Sequence, residues 1–570
     1  MVSEIEATVE GVTPMNRGYN VLLSSIEVLD YDSRVEKAYV SFSKRYLSAD
    51  ETINKDLIGS RVRCKAMLDK IQQEFLPNHH RFFVLWYFND IGATGYGMSN
   101  MQVLYQTRTS YLYRLLHKIR AFIHARFDEV LGPAHGGFTA AITLGNLKCI
   151  KKQDLESIRI AGISHVLCVS GLHISLVIGI CAKSIRFILN LFGVTESRID
   201  ARLISYSLAT IGGYFYLKLS GTNIAATRAF LMGALMVVGL VKDRGVFYLR
   251  HLGVAAFVML CFRPEYILSP SFQLSFISVA SLIAGFQFFP VNVSGNIAKS
   301  FWNKILSNLY SSFLASIVVA PIAIFNFCTF STYSIPANLI VVPIIAIFFM
   351  PLLVLCLILM PFGFDYYPLK GLDFFIKIIL NTCRYIQNLP YSILYTGFWC
   401  NESVCLFCFG FAVFVIIQAK LRFVGVVMML ISAVYGLCTQ TPDLIVSVHA
   451  GHVGFKQDDG FKIYSNSLSK FYAQYWSNWM GQKEIYRFKK HNSFILSNGS
   501  TLRINSTSAD CSEADIQINK NNAICNKGRQ IIDIGQISDA HTILLFCQGD
   551  VCNIEPVGIT NLDRVLSRGY

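Results

Sequence analysis

The stretch AGISHVLCVSGLHISLVIG, residues 161–179, decides how the rest of this chain is read. Most of it is apolar, as a segment buried in hydrocarbon must be. It nevertheless holds His165, Ser170 and His173, with Gly171 among them. Polar and ionisable groups at membrane depth are costly, and they face a bundle interior or an aqueous path. Gly171 removes a side chain, which lets backbones pack closely or the helix bend. Two readings stay open on these residues alone. The histidines are either hydrogen-bonded between helices for purely structural reasons, or they line a polar path.

Working outward, apolar runs lie near 162–182, 203–219, 223–241, 251–268, 272–290, 308–330, 335–361, 402–418 and 422–439. Each is near the roughly 20 residues a spanning helix needs, which gives about eight to ten spans. The run 335–361 contains Pro336, Pro343 and Pro351 and is expected to be broken or re-entrant. The weaker segment 370–389 reads as an interfacial helix. Composition agrees, with 53% hydrophobic and 15% charged residues, against about 25% charged in soluble chains. Lys183, Arg186, Lys242, Arg244, Lys299 and Lys304 fall in alternate loops, and the positive-inside rule then puts the N-terminal domain outside the cytoplasm. The net charge of +14 fits basic cytoplasmic loops and also affinity for a polyanion, but no dense basic tract is present.

The chain divides into four parts. Residues 1–105 show period-two alternation in IEATVEGV, YNVLLSSIEVL, EKAYVSFSK and SRVRCKAML, which predicts a small OB-like soluble β-barrel domain. Arg61, Arg63, Lys65 and Arg81, with Phe82, Phe83 and Tyr87, supply the basic and aromatic mixture through which such folds bind single strands. Any small basic barrel would show the same mixture. Residues 106–158 form an amphipathic, interfacial helical linker, with YLYRLLHKIRAFIHARF at 111–127. Residues 159–440 are the transmembrane region, and 441–570 a second soluble domain.

Two further polar elements sit in the membrane region. LSGTNIAATRAFLMGALMVVGLVKDR, residues 219–244, puts Arg228 near the start of a span. Arg228 either snorkels to the interface or faces a pore, where a fixed cation attracts phosphate. RPEYILSPSFQLSFISVASLIAG, residues 263–285, places Gln273, Ser275 and Ser278 in another span. Together the three segments resemble the ComEC family of competence proteins. The family's Ser-Gly-Leu-His element appears as Ser170-Gly171-Leu172-His173, its Arg-Ala-Phe-x-Met as Arg228 to Met232, and its Pro-x-Phe-Gln-Leu-Ser-Phe as Pro270 to Phe276. The resemblance extends over about 5–440, with NDIGATGYG at 89–97 similar to the end of the family's OB-like domain. It implies a multi-pass bacterial inner-membrane channel that carries single-stranded DNA into the cytoplasm during transformation, with the OB-like domain on the periplasmic side. His165, Ser170, Gly171, His173, Arg228, Gln273 and Ser275 would then line the DNA path. The implied partners are single-stranded DNA, the bilayer, a periplasmic DNA-binding protein and a cytoplasmic translocase or ATPase. A transporter of another solute, and a decayed family member without uptake activity, remain as alternatives.

The sequence departs from the family at both ends. Relatives often carry spans ahead of the OB-like domain, whereas Met1 stands almost at its first strand. Many relatives also end in a metallo-β-lactamase-like domain with an H-x-H-x-D-H motif. Beyond residue 440 this chain offers only His449, His452, His491 and His541, none in that pattern. A degenerate, non-catalytic α/β domain of that type is expected, without metal, cofactor or catalytic residues. Cys511, Cys525, Cys547 and Cys552 lie in its polar sequence, placed to form disulfides if the compartment is oxidising. No Walker A motif occurs, so DNA movement would draw on an external energy source.

Overall fold

Ahead of Tyr111, alternating apolar residues build six strands: β1 (Val2–Met15), β2 (Gly18–Val28), β3 (Ser33–Ser43), β4 (Ser60–Lys70), β5 (Ile91–Gly97) and β6 (Gln102–Gln106). The computed structural model describes residues 2–15, 18–30, 33–46, 57–70, 86–106, 111–191, 201–241, 249–288, 297–417 and 420–447, with shorter stretches between 452 and 558. Every second residue of the first four strands points into one core: Ile5, Ala7, Val9, Val21, Leu23, Ala38, Val40, Phe42, Val62, Cys64 and Ala66. Each fully buried Val or Leu contributes about 1.5–3 kcal/mol relative to exposure. The ladder runs β1–β2–β3, then β3 to β5 in parallel, then β5–β4, and β4 pairs back with β1. Bulges between Glu6 and Thr8 and between Val9 and Gly11 bend β1, so the same strand serves both β2 and β4. The four quoted alternating stretches fall on β1 to β4.

By packing, the chain divides into two units. One comprises Met1–Ile71, Trp86–Val319 and Ser331–Ile393; the other comprises Gln72–Leu85, Ala320–Phe330 and Leu394–Tyr570. In the first unit, α1 (Tyr111–Leu144) follows the β region and is broken at Gly132 (φ 75°), just before Pro133. Its first half exposes Leu112, Leu115, Ile119 and Phe122, the apolar stripe of an amphipathic helix. Its second half is buried from Gly136 to Leu144. Tyr113 donates to the Glu10 carbonyl at 2.9 Å, and the Asn146 amide donates to the Pro14 carbonyl at 3.0 Å, tying this helix region to β1. The His117 ring lies tilted against Tyr113, 4.6 Å between centres, and its pKa is lowered to about 4 by burial and by Arg120.

α2 (Lys152–Ile160) ends in a glycine cap. Gly162 (φ 75°) donates to Arg159, and Ile163 donates back to Ile158 at 3.2 Å. Beyond it the sequence expectation of one continuous span over 162–182 is corrected. A short helix, α3 (Ser164–Leu167), stops at Cys168, whose backbone is extended (φ −72°, ψ 130°). α4 (Gly171–Leu191) then starts afresh. Apolar composition does not reveal such a break, because hydropathy is blind to backbone hydrogen bonding.

The remaining helices of the membrane region are α5 (Ala201–Leu219), α6 (Ile224–Val241), α7 (Leu249–Phe262), α8 (Pro270–Phe288), α9 (Ile297–Phe327), α10 (Ser334–Ile344), α11 (Met350–Leu359) and α12 (Tyr366–Gln387). Among the described residues, four helices are long and apolar enough to cross a bilayer: Gly171–Leu191, Pro270–Phe288, Leu306–Phe327 and Ser334–Phe362. Ile224–Leu240, Leu249–Phe262, Asn401–Ile416 and Arg422–Leu437 are apolar but shorter. A helix of 16 residues, such as Asn401–Ile416, spans about 24 Å, short of the ~30 Å hydrocarbon core. The expected break in 335–361 is also corrected. The segment stays helical, and the turn at Ile345–Phe349 widens to a π turn around Ile347, whose carbonyl lies four residues before Pro351 and would otherwise meet the proline ring.

α12 is the amphipathic helix expected at 370–389. It buries Leu369, Leu372, Ile376, Ile379, Leu380, Cys383 and Ile386. Ion pairs and a hydrogen bond fasten its rim: Arg126 pairs with Asp365 (2.9 Å) and His135 bonds to Asp373 (2.6 Å) from α1, and Arg384 pairs with Asp154 of α2 (2.7 Å). Burial works to raise the Asp373 carboxyl, but hydrogen bonds from Lys377 and His135 prevail and hold it below its ordinary range.

In the second unit, the hairpin of Asn401–Ile416 and Arg422–Leu437 packs closely at Gly410 and Gly425. Ser403 and Ser432 donate to each other's carbonyls at 2.8 and 2.6 Å. Beyond it, six strands pair in the order Ile485–Phe488, Gly460–Tyr464, His452–Gln457, Leu444–Ser447, Ala540–Gln548 and Val551–Gly558. The aromatic segment at 471–481 supplies a helix, Lys470–Trp479, whose Trp476 and Trp479 are buried with Ile445, Phe461 and Ile463. The backbones of Cys547 and Cys552 are paired in register, while Cys511 and Cys525 lie outside the described residues.

Candidate functional site

The three polar elements of the membrane region come together around one guanidinium. Arg228 sits on the first turns of α6, and only 6% of its surface is exposed. Its Nε donates to Ser275 Oγ of α8 at 2.8 Å. Its Nη1 reaches Met232 Sδ, one helical turn on, at 3.4 Å, and its charge lies 5.8 Å from the centre of the Phe276 ring. On its other side lies Gly171, the first residue of α4. A Cβ there would stand 2.5 Å from Arg228 Nη2. Gly171 is therefore small because the guanidinium occupies the space.

The N-terminus of α4 is built by its own residues. Ser170 precedes the helix, and its N–H donates to His173 Nδ1 at 3.0 Å, with Ser170 Oγ 3.3 Å from the same nitrogen. His173 thus takes the part that Glu plays in a capping box. Accepting at Nδ1 puts the neutral ring's proton on Nε2, which is buried without a hydrogen-bond partner among the described residues. His173 itself is fully buried.

Asn223 joins the elements, and the sequence reading passed over it. Its Oδ1 accepts from Ala226 N at 2.8 Å and caps α6, while its Nδ2 donates to the Val169 carbonyl at 2.8 Å. That second bond satisfies a carbonyl freed where the chain unwinds between α3 and α4. An Asn just ahead of an apolar run is a legible cap signal; the bond to Val169 is not.

Two other expected residues lie apart from the guanidinium. Gln273 donates to the Ile267 carbonyl at 3.0 Å and serves the turn ahead of α8. His165 is exposed on α3 and engages the Gly162 backbone.

The β-domain cations are placed differently. Arg61 donates to the Ser25 carbonyl at 2.8 Å and pairs with Glu27 at 3.0 Å. Arg63 Nε donates to Glu6 at 2.9 Å across the β1–β4 ladder. Lys65 is exposed opposite Glu4. Arg81 lies outside the described residues. Beside this row, Tyr105 stands opposite Arg61 and Tyr96 opposite Met67, 59% and 60% exposed. Such surfaces stack bases without regard to sequence.

Residues 142–421 match the family model described as Competence protein. ComE operon protein 3 of Bacillus subtilis (strain 168) is 25% identical over 234 residues, which is 41% of this chain and 28% of that protein. The match therefore spans under a third of the relative's length. No solved structure matches. All three polar elements fall inside the matched region, whereas the β domain and the residues beyond 421 lie outside it.

Proposed function

We propose, since this chain belongs through residues 142–421 to the competence-protein family, that it is an inner-membrane channel conducting single-stranded DNA into the cytoplasm. Family membership supports a part in DNA uptake; the channel role is the finer reading. The observation that carries it is the convergence of Gly171, Arg228 and Ser275, one residue from each polar element, on one buried guanidinium. A cation held among apolar helices without a carboxylate has no evident structural purpose, since a Met or Leu would pack there at lower cost. Facing a polyanion, it has one.

On this reading the four shorter apolar helices also cross the bilayer, joining the four long ones. The strand order that returns to β1 is the pairing expected of an OB-like barrel. That domain would sit on the periplasmic side and receive the strand from a periplasmic DNA-binding protein. A cytoplasmic translocase or ATPase would draw the strand inward. The C-terminal domain would be a degenerate, non-catalytic relative of the metallo-β-lactamase fold.

The test is a transformation assay in a deletion strain, complemented by the wild-type gene or by Arg228→Ala. Wild type is expected to restore uptake and Arg228→Ala to restore about a tenth to a hundredth of it, the loss of one charge-assisted contact. Undiminished transformation in the uncomplemented deletion would rule the channel role out.

A further inference from the structure

The electrostatics around Arg228 are unbalanced. The N-terminus of a helix carries roughly half a positive elementary charge, and α4 is 21 residues long. The Arg228 guanidinium, a full positive charge, is held against the first residue of that helix. Positive charge is thus stacked on positive charge in an apolar surrounding. Among the described residues Arg228 forms no ion pair; its partners are a hydroxyl, a thioether and an aromatic ring. Elsewhere in the same unit, Arg61, Arg63, Arg126, Arg263 and Arg384 each pair with a carboxylate.

We infer that Arg228 and the first turn of α4 form a seat for one phosphate group. On the channel reading above, on which this identification rests, that group is a backbone phosphodiester of the passing strand. The donors fit an oxyanion. Arg228 Nη2 has no hydrogen-bond partner among the described residues and lies where the Gly171 side chain would be. The opening N–H groups of a helix point along its axis and are the usual cradle for phosphate oxygens. The chain is unwound just ahead of α4, and irregular backbone at membrane depth persists where protein buries it or where it lines a water-filled cavity.

Gly171 is then a specificity residue as well as a packing one. Any Cβ would stand 2.5 Å from Nη2 and push the guanidinium off the helix end, separating two donors that must act on one oxyanion. A base edge offers no full negative charge, so the seat reads backbone and ignores sequence.

The experiment uses the full chain in dodecyl maltoside micelles, which carry no phosphate. Fluorescent oligo(dT) is titrated by anisotropy over a salt series, against wild type, Gly171→Ala, Arg228→Lys and Arg63→Gln. Gly171→Ala is expected to weaken binding about tenfold. It is also expected to flatten the log K against log salt slope by ~0.7, the loss of one phosphate contact to a single strand. Arg228→Lys keeps the charge, so its salt slope stays near wild type while affinity falls; Arg63→Gln matches wild type. Thermal unfolding of each variant, followed by tryptophan fluorescence, checks that the fold survives. A wild-type slope and affinity in Gly171→Ala would overturn the seat and leave the DNA reading standing. Inorganic phosphate that stabilises wild type but not Gly171→Ala, without any oligonucleotide binding, would uphold the seat and overturn the DNA reading. Protection by a soluble short-chain phosphatidylglycerol alone would assign the seat to a lipid headgroup.

Discussion

Arginine is used in two opposite ways in one folding unit. In the β domain, Arg61 and Arg63 lie on β4, and their carboxylates come from Glu6 on the paired strand β1 and Glu27 on β2 beyond it. Their charges are answered within the fold, and what remains for a ligand is Lys65 and the rings of Tyr96 and Tyr105. In the membrane region, Arg228 is buried to a similar degree as Arg61, but among the described residues its partners are a serine, a methionine and a phenylalanine, with no carboxylate. On the proposed reading, the difference explains why counting basic residues locates a polyanion site poorly. A paired cation contributes to the fold, whereas Arg228 would be held in readiness for a negative charge from outside.

That comparison breaks first if the two classes respond alike to neutralisation. Arg228→Gln is expected to lower transformation by about tenfold to a hundredfold. Arg63→Gln, which removes an exposed pair worth about 0–1 kcal/mol, should stay within about fivefold of wild type. Equal losses, measured as transformants per microgram of DNA at matched protein levels, would remove the distinction. A smaller effect is expected at Ser275. Its hydroxyl fixes Arg228 Nε at 2.8 Å, and Ser275→Ala removes one hydrogen bond of about 1 kcal/mol, or roughly fivefold in uptake. Ser278→Ala, one turn along the same helix, is the control, because Ser278 Oγ bonds back to the Ser275 carbonyl and does not touch the guanidinium.

Much of this architecture was legible because its patterns are local. Strands β1 to β4 follow from period-two alternation, and the helices of the membrane region from runs of apolar residues. β5, with the sequence IGATGYG, offers three glycines and little alternation; it is a strand because β3 and β4 flank it. The interruption at Cys168 was hidden because the donor that satisfies the freed Val169 carbonyl, Asn223, lies far along the chain. The same limit separates the site residues. Gly171, Arg228 and Ser275 were marked as polar or small residues in apolar runs, but their meeting depends on how α4, α6 and α8 pack. Gln273 carries the same signal as Ser275 two residues away, yet a helix turns by about 200° over two residues, and the pair cannot share a face. The acid partners of Arg61 and Arg63 required the register of the β ladder, which no spacing in the sequence supplies.

The smallest expected effect tests the paired side of the comparison directly. Arg63 and Glu6 stand opposite each other on β4 and β1, and the Arg63 side chain is 42% exposed while Glu6 is 18% exposed. Partial exposure means that solvent already screens each charge, so a double-mutant cycle of Arg63→Gln and Glu6→Gln should return a coupling energy of about 0.2–1 kcal/mol. Chemical denaturation of the full chain in micelles, read through thiol-reagent labelling of Cys64 located by peptide mass spectrometry, reports on this sheet because Cys64 is buried in its core. The two single variants should also differ in a telling way. Glu6→Gln frees Arg63 without removing it, which converts a paired cation into an unpaired one on an exposed face. If pairing is what silences Arg63 towards DNA, Glu6→Gln should tighten oligo(dT) binding about twofold and steepen its salt slope by ~0.7. An unchanged slope would mean that Arg63 is withheld from DNA by its position, and that the carboxylate is not what divides the two kinds of arginine.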